Sequence, residues 1–74
     1  MPREMIVTAF VPQESWDPQM KEQVLAQATA RLLEAGVEGM VNFQYSVIPD
    51  LTDSEYNLIA EGPFIEVHAT GMKP

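Results

Sequence analysis

Three short stretches hold the residues that could do chemistry. Glu66 and His68 stand two apart in FIEVHAT. On an extended strand both point to one face, where a carboxylate can orient an imidazole for proton transfer. An exposed polar edge would carry the same pair. The spacing also suits a metal ion, but two ligands are too few and the chain has one His and no Cys, so no metal site is expected. Pro2 is the second stretch. It follows Met1, a context in which the initiator is usually removed, and a free N-terminal proline is a secondary amine. Its nitrogen can serve as a general base near neutral pH if desolvation and neighbouring cations lower its pKa; Arg3 is adjacent. The third stretch is Asn42, Gln44 and Ser46, alternate polar positions that could line a cleft or simply face water. Nothing marks Ser15, Ser46 or Ser54 as a nucleophile, and four dispersed glycines make no phosphate loop.

The element that must position these residues is the one long helix signal, Asp17 to Gly36. Asp17 can cap it, Pro18 occupies a tolerated first-turn position, and Gly36 can end it in a left-handed turn. Met20, Val24, Leu25, Ala28, Leu32 and Ala35 share one side, a core-facing stripe, and Gln23, Gln27, Arg31 and Glu34 form a polar strip. Ala26, Ala30 and Leu33 lie between, where small apolar residues suggest close approach of a second surface. Trp16, just before the cap, can pack back on the first turn; a ligand-stacking role is the alternative.

Around the helix the pattern predicts strands. Met5 to Val11 is a nearly continuous apolar run, which suggests a central strand buried on both faces, ended by Pro12. Met40 to Ile48 alternates, with Val41, Phe43, Tyr45 and Val47 on one face. Strand, helix, strand through short connections implies a right-handed crossover and parallel pairing. Pro49 should stop the second strand. Thr52 to Glu55 has the form of a capping box, so a short helix, a hairpin or a structured loop can fill the interval to Gly62. Phe64 to Thr70 reads as a third strand, with Ile65, Val67 and Ala69 on one face and Phe64, Glu66, His68 and Thr70 on the other. The acids Asp50, Asp53, Glu55 and Glu61 suit a solvated loop, and the tail from Gly71 should be loose or docked on a neighbour. The expected fold is α+β: a β-α-β unit with one long helix on a mixed sheet and an additional C-terminal strand.

The 74 residues make one domain with a net charge of −7, eleven acids against four bases, Arg3, Lys21, Arg31 and Lys73. Scattered bases in an acidic chain argue against nucleic acid and against an anionic membrane surface, and no apolar run approaches a membrane span. The N-terminus lacks secretory architecture, so the cytoplasm is the expected location. A chain this short buries only about 60% of its unfolded surface. With no Cys to staple it, oligomerisation is the remaining common support. One helix cannot cover both faces of a mostly apolar sheet, and a copy of the same chain is the simplest cover.

Pro2 after Met1, the strand Met5 to Val11, the loop ending Ser15 to Asp17, the helix to Gly36 and the strand Met40 to Ile48 together resemble the tautomerase superfamily. These are the 4-oxalocrotonate tautomerase-like proteins. VNFQ (Val41 to Gln44) is similar to the second strand of the dehalogenase-like branch, and PFIEVHATG (Pro63 to Gly71) resembles a first strand of the superfamily. The resemblance implies β-α-β units assembled as trimers or hexamers. It also implies keto–enol isomerisation of a small 2-oxo or enol acid, with Pro2 as catalytic base and no cofactor. Arg3 and Lys73 would then be candidates for the substrate carboxylates, and Asn42, Gln44 and Tyr45 would line the site. The usual arginines are missing from the loop PQESWD and from the second strand, and in strand register Met5 takes the family proline's place. The alternative is a catalytically inactive tautomerase-fold subunit, an assembly or binding module, alone or with a related subunit that supplies arginines. A third class is a small-ligand carrier of β-α-β-β fold, of the dodecin sort.

Overall fold

The computed structural model describes residues 1–74. The chain runs β1 (Arg3–Pro12), a 3₁₀ turn (Gln13–Ser15), α1 (Pro18–Glu34), β2 (Glu38–Thr52) and β3 (Leu58–Lys73). The protein is thus a small α+β fold with one helix on a three-stranded sheet. The helix begins as its sequence dictates. The Asp17 side chain accepts the Met20 amide at 2.7 Å, which satisfies one of the unpaired first-turn donors, and Pro18 stands at the first helical position. Gly36, at φ 96°, turns the chain out of the helix.

The sheet departs from the expectation. Its order is β1-β3-β2, and both pairings are antiparallel. β1 and β2 run in the same direction but never touch, because β3 lies between them; the sheet is antiparallel, not mixed. The crossover connection constrains the direction of the two strands it joins, while the hairpin partner β3, only a five-residue turn away, takes the central place. β1 is accordingly an edge strand. Its apolar run does not reflect burial on both faces: Met5, Val7 and Ala9 are half-buried and Val11 is buried, whereas Ile6, Thr8 and Phe10 are exposed.

β2 and β3 also outrun their expected limits. Pro49 does not stop β2, because it falls at a register irregularity between Ile48 and Asp50, where a missing N–H costs no ladder bond. Opposite it, a Cβ on Gly62 would stand 1.7 Å from the Pro49 carbonyl oxygen, so only glycine lets the two strands close here. The connection after Thr52 is a hairpin turn, not a helix. The Asp53 carboxylate accepts the amides of Glu55 at 2.8 Å and Asn57 at 3.0 Å, so Asp53 rather than Thr52 organises the segment. The tail is not loose either: β3 continues to Lys73, paired with Arg3. Gly71 is buried beneath Val37, whose Cγ1 would meet a Cβ there at 2.4 Å.

The core lies between α1 and one sheet face. Ala28, Leu32, Val37 and Ala69 form its buried centre, with Met5, Val7, Val41 and Phe43 packed around them. The predicted helix stripe faces this core: Ala28 and Leu32 are buried, and Met20, Val24, Leu25 and Ala35 are half-buried. Ala26, Ala30 and Leu33 remain exposed. No helix is long and apolar enough to cross a membrane.

Candidate functional site on the open sheet face

Strand alternation sends every second residue of β1, β2 and β3 away from the helix, onto a face that no element of the chain covers. Cross-strand register turns these residues into rows. Ile6, Thr70 and Asn42 form one row, Thr8, His68 and Gln44 the next, and Phe10, Glu66 and Ser46 the third. Pro12, Phe64 and Ile48 close the end, with Phe64 buried. The two polar patterns of the sequence, Asn42–Gln44–Ser46 and Glu66–His68–Thr70, therefore share one surface, residue against residue.

At its centre His68 Nε2 is bonded to a Glu66 carboxylate oxygen, which makes the ion pair of the protein when the imidazole is protonated. The imidazole is 37% exposed and the carboxylate 22%, so the pair is sheltered yet reachable. The surrounding hydroxyls and amides of Thr8, Asn42, Gln44, Ser46 and Thr70 make no side-chain hydrogen bond. They are donors and acceptors presented on the uncovered face. Ile6 and Phe10, 54% and 45% exposed, supply an apolar margin along β1. Glu4 lies on the same face, and Glu38 stands across from Met72, so the face is negative apart from His68.

The other sequence-selected residues lie elsewhere. Arg3 and Lys73 are cross-strand partners at the opposite end of the sheet from the hairpin, where they line a shallow depression with Glu4 and Met5; exposed Pro2 immediately precedes them. Tyr45 faces the helix, not the open surface. Its ring lies 5.9 Å from that of Trp16, tilted by 60°, and Lys21 Nζ is 5.3 Å from its centroid, an aromatic and cation–π arrangement that fixes the helix start on β2. Trp16 thus packs against Tyr45. Tyr45 pairs with Val67, six residues from Lys73 along β3, or about 20 Å of strand. Pro2, Arg3 and Lys73 are therefore brought together, Asn42 and Gln44 are brought together elsewhere, and Tyr45 joins neither group.

Thr8 joins the open face without having been singled out, while Thr70 lies on the face the alternation of β3 assigns it. The period-two exposure of β1 was hidden in a run of apolar letters, and only the neighbouring β3 reveals which letters face out. A notch between the 3₁₀ turn and β3, lined by Pro12, Gln13, Glu14, Glu61, Gly62 and Pro63, holds two acids and no base and offers no reactive pair. No group of three or more His, Cys, Asp or Glu converges as a metal site. No family model, curated protein or solved structure matches the chain.

Proposed function

We propose that this chain is the subunit of a small homo-oligomeric binding module that takes up a flat, heteroatom-bearing molecule on the open sheet face. The observation that carries the reading is the row Thr8–His68–Gln44: Thr8 and Gln44, without side-chain partners in their own chain, flank the Glu66–His68 pair, and Ile6 and Phe10 border it. An apolar margin beside a polar centre suits a ring with polar edges. The element order β, α, β, β supports the ligand-carrier class over a pair of adjacent parallel strands. Glu4, Glu38 and Glu66 against His68 alone favour a neutral or cationic ring over a dianionic acid. Denaturing the purified protein and weighing what it releases tests the reading. A stoichiometric heteroaromatic compound, lost in Thr8→Val with His68→Leu, is expected; an empty wild-type protein contradicts it.

A second reading has one observation in its favour, the meeting of Arg3 and Lys73 beside Pro2. Two of the four bases then serve as carboxylate contacts for a tautomerase-like proline base, in a protein whose Met1 has been removed. Intact mass and ketonisation of phenylpyruvate decide it. Activity that disappears in Pro2→Ala supports the proline mechanism, and activity that survives the substitution rules it out.

A further inference from the structure

The part of the molecule beyond Phe64 is an arm without support. β1 ends at Pro12, opposite Phe64. From there outward β2 and β3 pair only with each other, through Asp50–Glu61, Leu51–Ala60 and Thr52–Leu58. A two-stranded ribbon by itself is marginal in water. This one nevertheless exposes Tyr56, Leu58 and Ile59 by 88%, 61% and 67%.

The whole chain has too much surface for its mass. An 8.3 kDa monomer should expose about 4,600 Å²; this one exposes 5406 Å². The excess of about 800 Å² equals one partner's share of a standard protein–protein interface. Its radius of gyration, 13.7 Å, exceeds the roughly 11 Å of a compact chain of this length. Two apolar surfaces are uncovered on the same chain, the arm and the β1 margin of the open face. Ile6 to Phe10 spans about 14 Å of strand, and the arm segment from Leu58 to Pro63, at about 17 Å, is long enough to cover it.

From these features we infer that the arm of each subunit docks on the open face of a second copy, with Leu58 and Ile59 against Ile6 and Phe10, and the contact is reciprocal about a two-fold axis. A second copy is favoured because one contact, made twice, covers both surfaces. Arm against arm would leave the β1 margin, Ile6 and Phe10, uncovered on both copies. The contact rests on the oligomeric part of the proposed function and adds a roof to the ligand face, closed by the partner's arm. Since both copies carry a charge of −7, salt should strengthen the association by screening their repulsion.

The chain has no Cys, which makes thiol trapping clean. An equimolar mixture of Ile59→Cys and Phe10→Cys chains, treated with a short bis-maleimide, should give dimers containing one chain of each kind. In parallel, Leu58→Glu with Ile59→Glu should raise the dissociation constant by about a hundredfold or more, with an unchanged circular dichroism spectrum because the arm lies outside the core. Mixed dimers together with that weakening bear the contact out. A wild-type oligomer that ignores the arm substitutions, or a mixture that yields no mixed dimers, overturns the arm contact and leaves the oligomeric reading standing. A monomeric wild type overturns both.

Discussion

The two faces of one sheet obey opposite rules on adjacent residues. On the helix side of β3, Val67 and Ala69 are 1% and 0% exposed, and Ala69 packs in one cluster with Leu32, itself 1% exposed. One residue along, His68 and Thr70 are half-exposed, and across from them on β1 Thr8 and Ile6 stand open. The covered face is small, apolar and complete within the chain. The open face mixes apolar groups with the Glu66–His68 pair and with hydroxyls and amides that make no side-chain hydrogen bond. A strand has period two, so each face is composed independently. Here one face is composed for this chain's helix, and in the reading proposed above the other is composed for a surface outside the chain.

Substitutions can sharpen that contrast. Leu32→Ala should produce the largest loss, about 2–5 kcal/mol, which in so small a domain approaches its entire stability; urea denaturation with far-UV circular dichroism measures it. On the other face, Phe10→Ala should cost the monomer less than about 1 kcal/mol and should act on self-association instead. Equal losses at the two positions would erase the distinction. Gly62→Ala forces a Cβ into the Pro49 carbonyl and should cost about 1–3 kcal/mol, with hydrogen exchange rising in the arm before it rises in the core. Asp17→Ala removes the helix cap at a cost of about 1 kcal/mol, read as a lowered urea midpoint without loss of the open-face contacts.

The smallest effect concerns pH and the arm. Backbone hydrogen bonds from Asn57 and Glu55, joined by the Asn57 side chain, hold the Asp53 carboxyl below its ordinary value of 3.8. A depressed folded-state pKa means that the stabilisation is present above the unfolded value and is lost as pH falls through the folded one. The turn should therefore loosen only below about pH 3.8, with the Glu55 and Asn57 amides losing protection first. Asp53→Asn should weaken that acid response. Loosening of the turn at neutral pH in the wild type would contradict this account of it.

Much of the covered half was legible in the sequence. The helix, its Asp17 cap, its Gly36 exit and its Leu32 stripe are local signals, and local physics decides them. The faces of β3 were equally plain, because Ile65, Val67 and Ala69 alternate with Glu66, His68 and Thr70. Strand order was not, since nothing local to β1 says that β3 will enter beside it. The ends of β2 and β3 were obscured by Pro49, Pro63 and Gly71, which normally break strands. Here a bulge and two close backbone approaches accommodate them. Of the candidate site, the rows on β2 and β3 were each visible, but their meeting depended on register. Arg3 and Lys73 met for the same non-local reason, while Tyr45 was drawn inward by Trp16 and Lys21.

Sedimentation equilibrium of the purified chain at micromolar concentration tests the central claim most directly. An open face composed for another surface predicts a mass that is a multiple of 8.3 kDa and shifts toward that multiple as salt rises. A stable, folded particle of a single chain's mass across that range would contradict it.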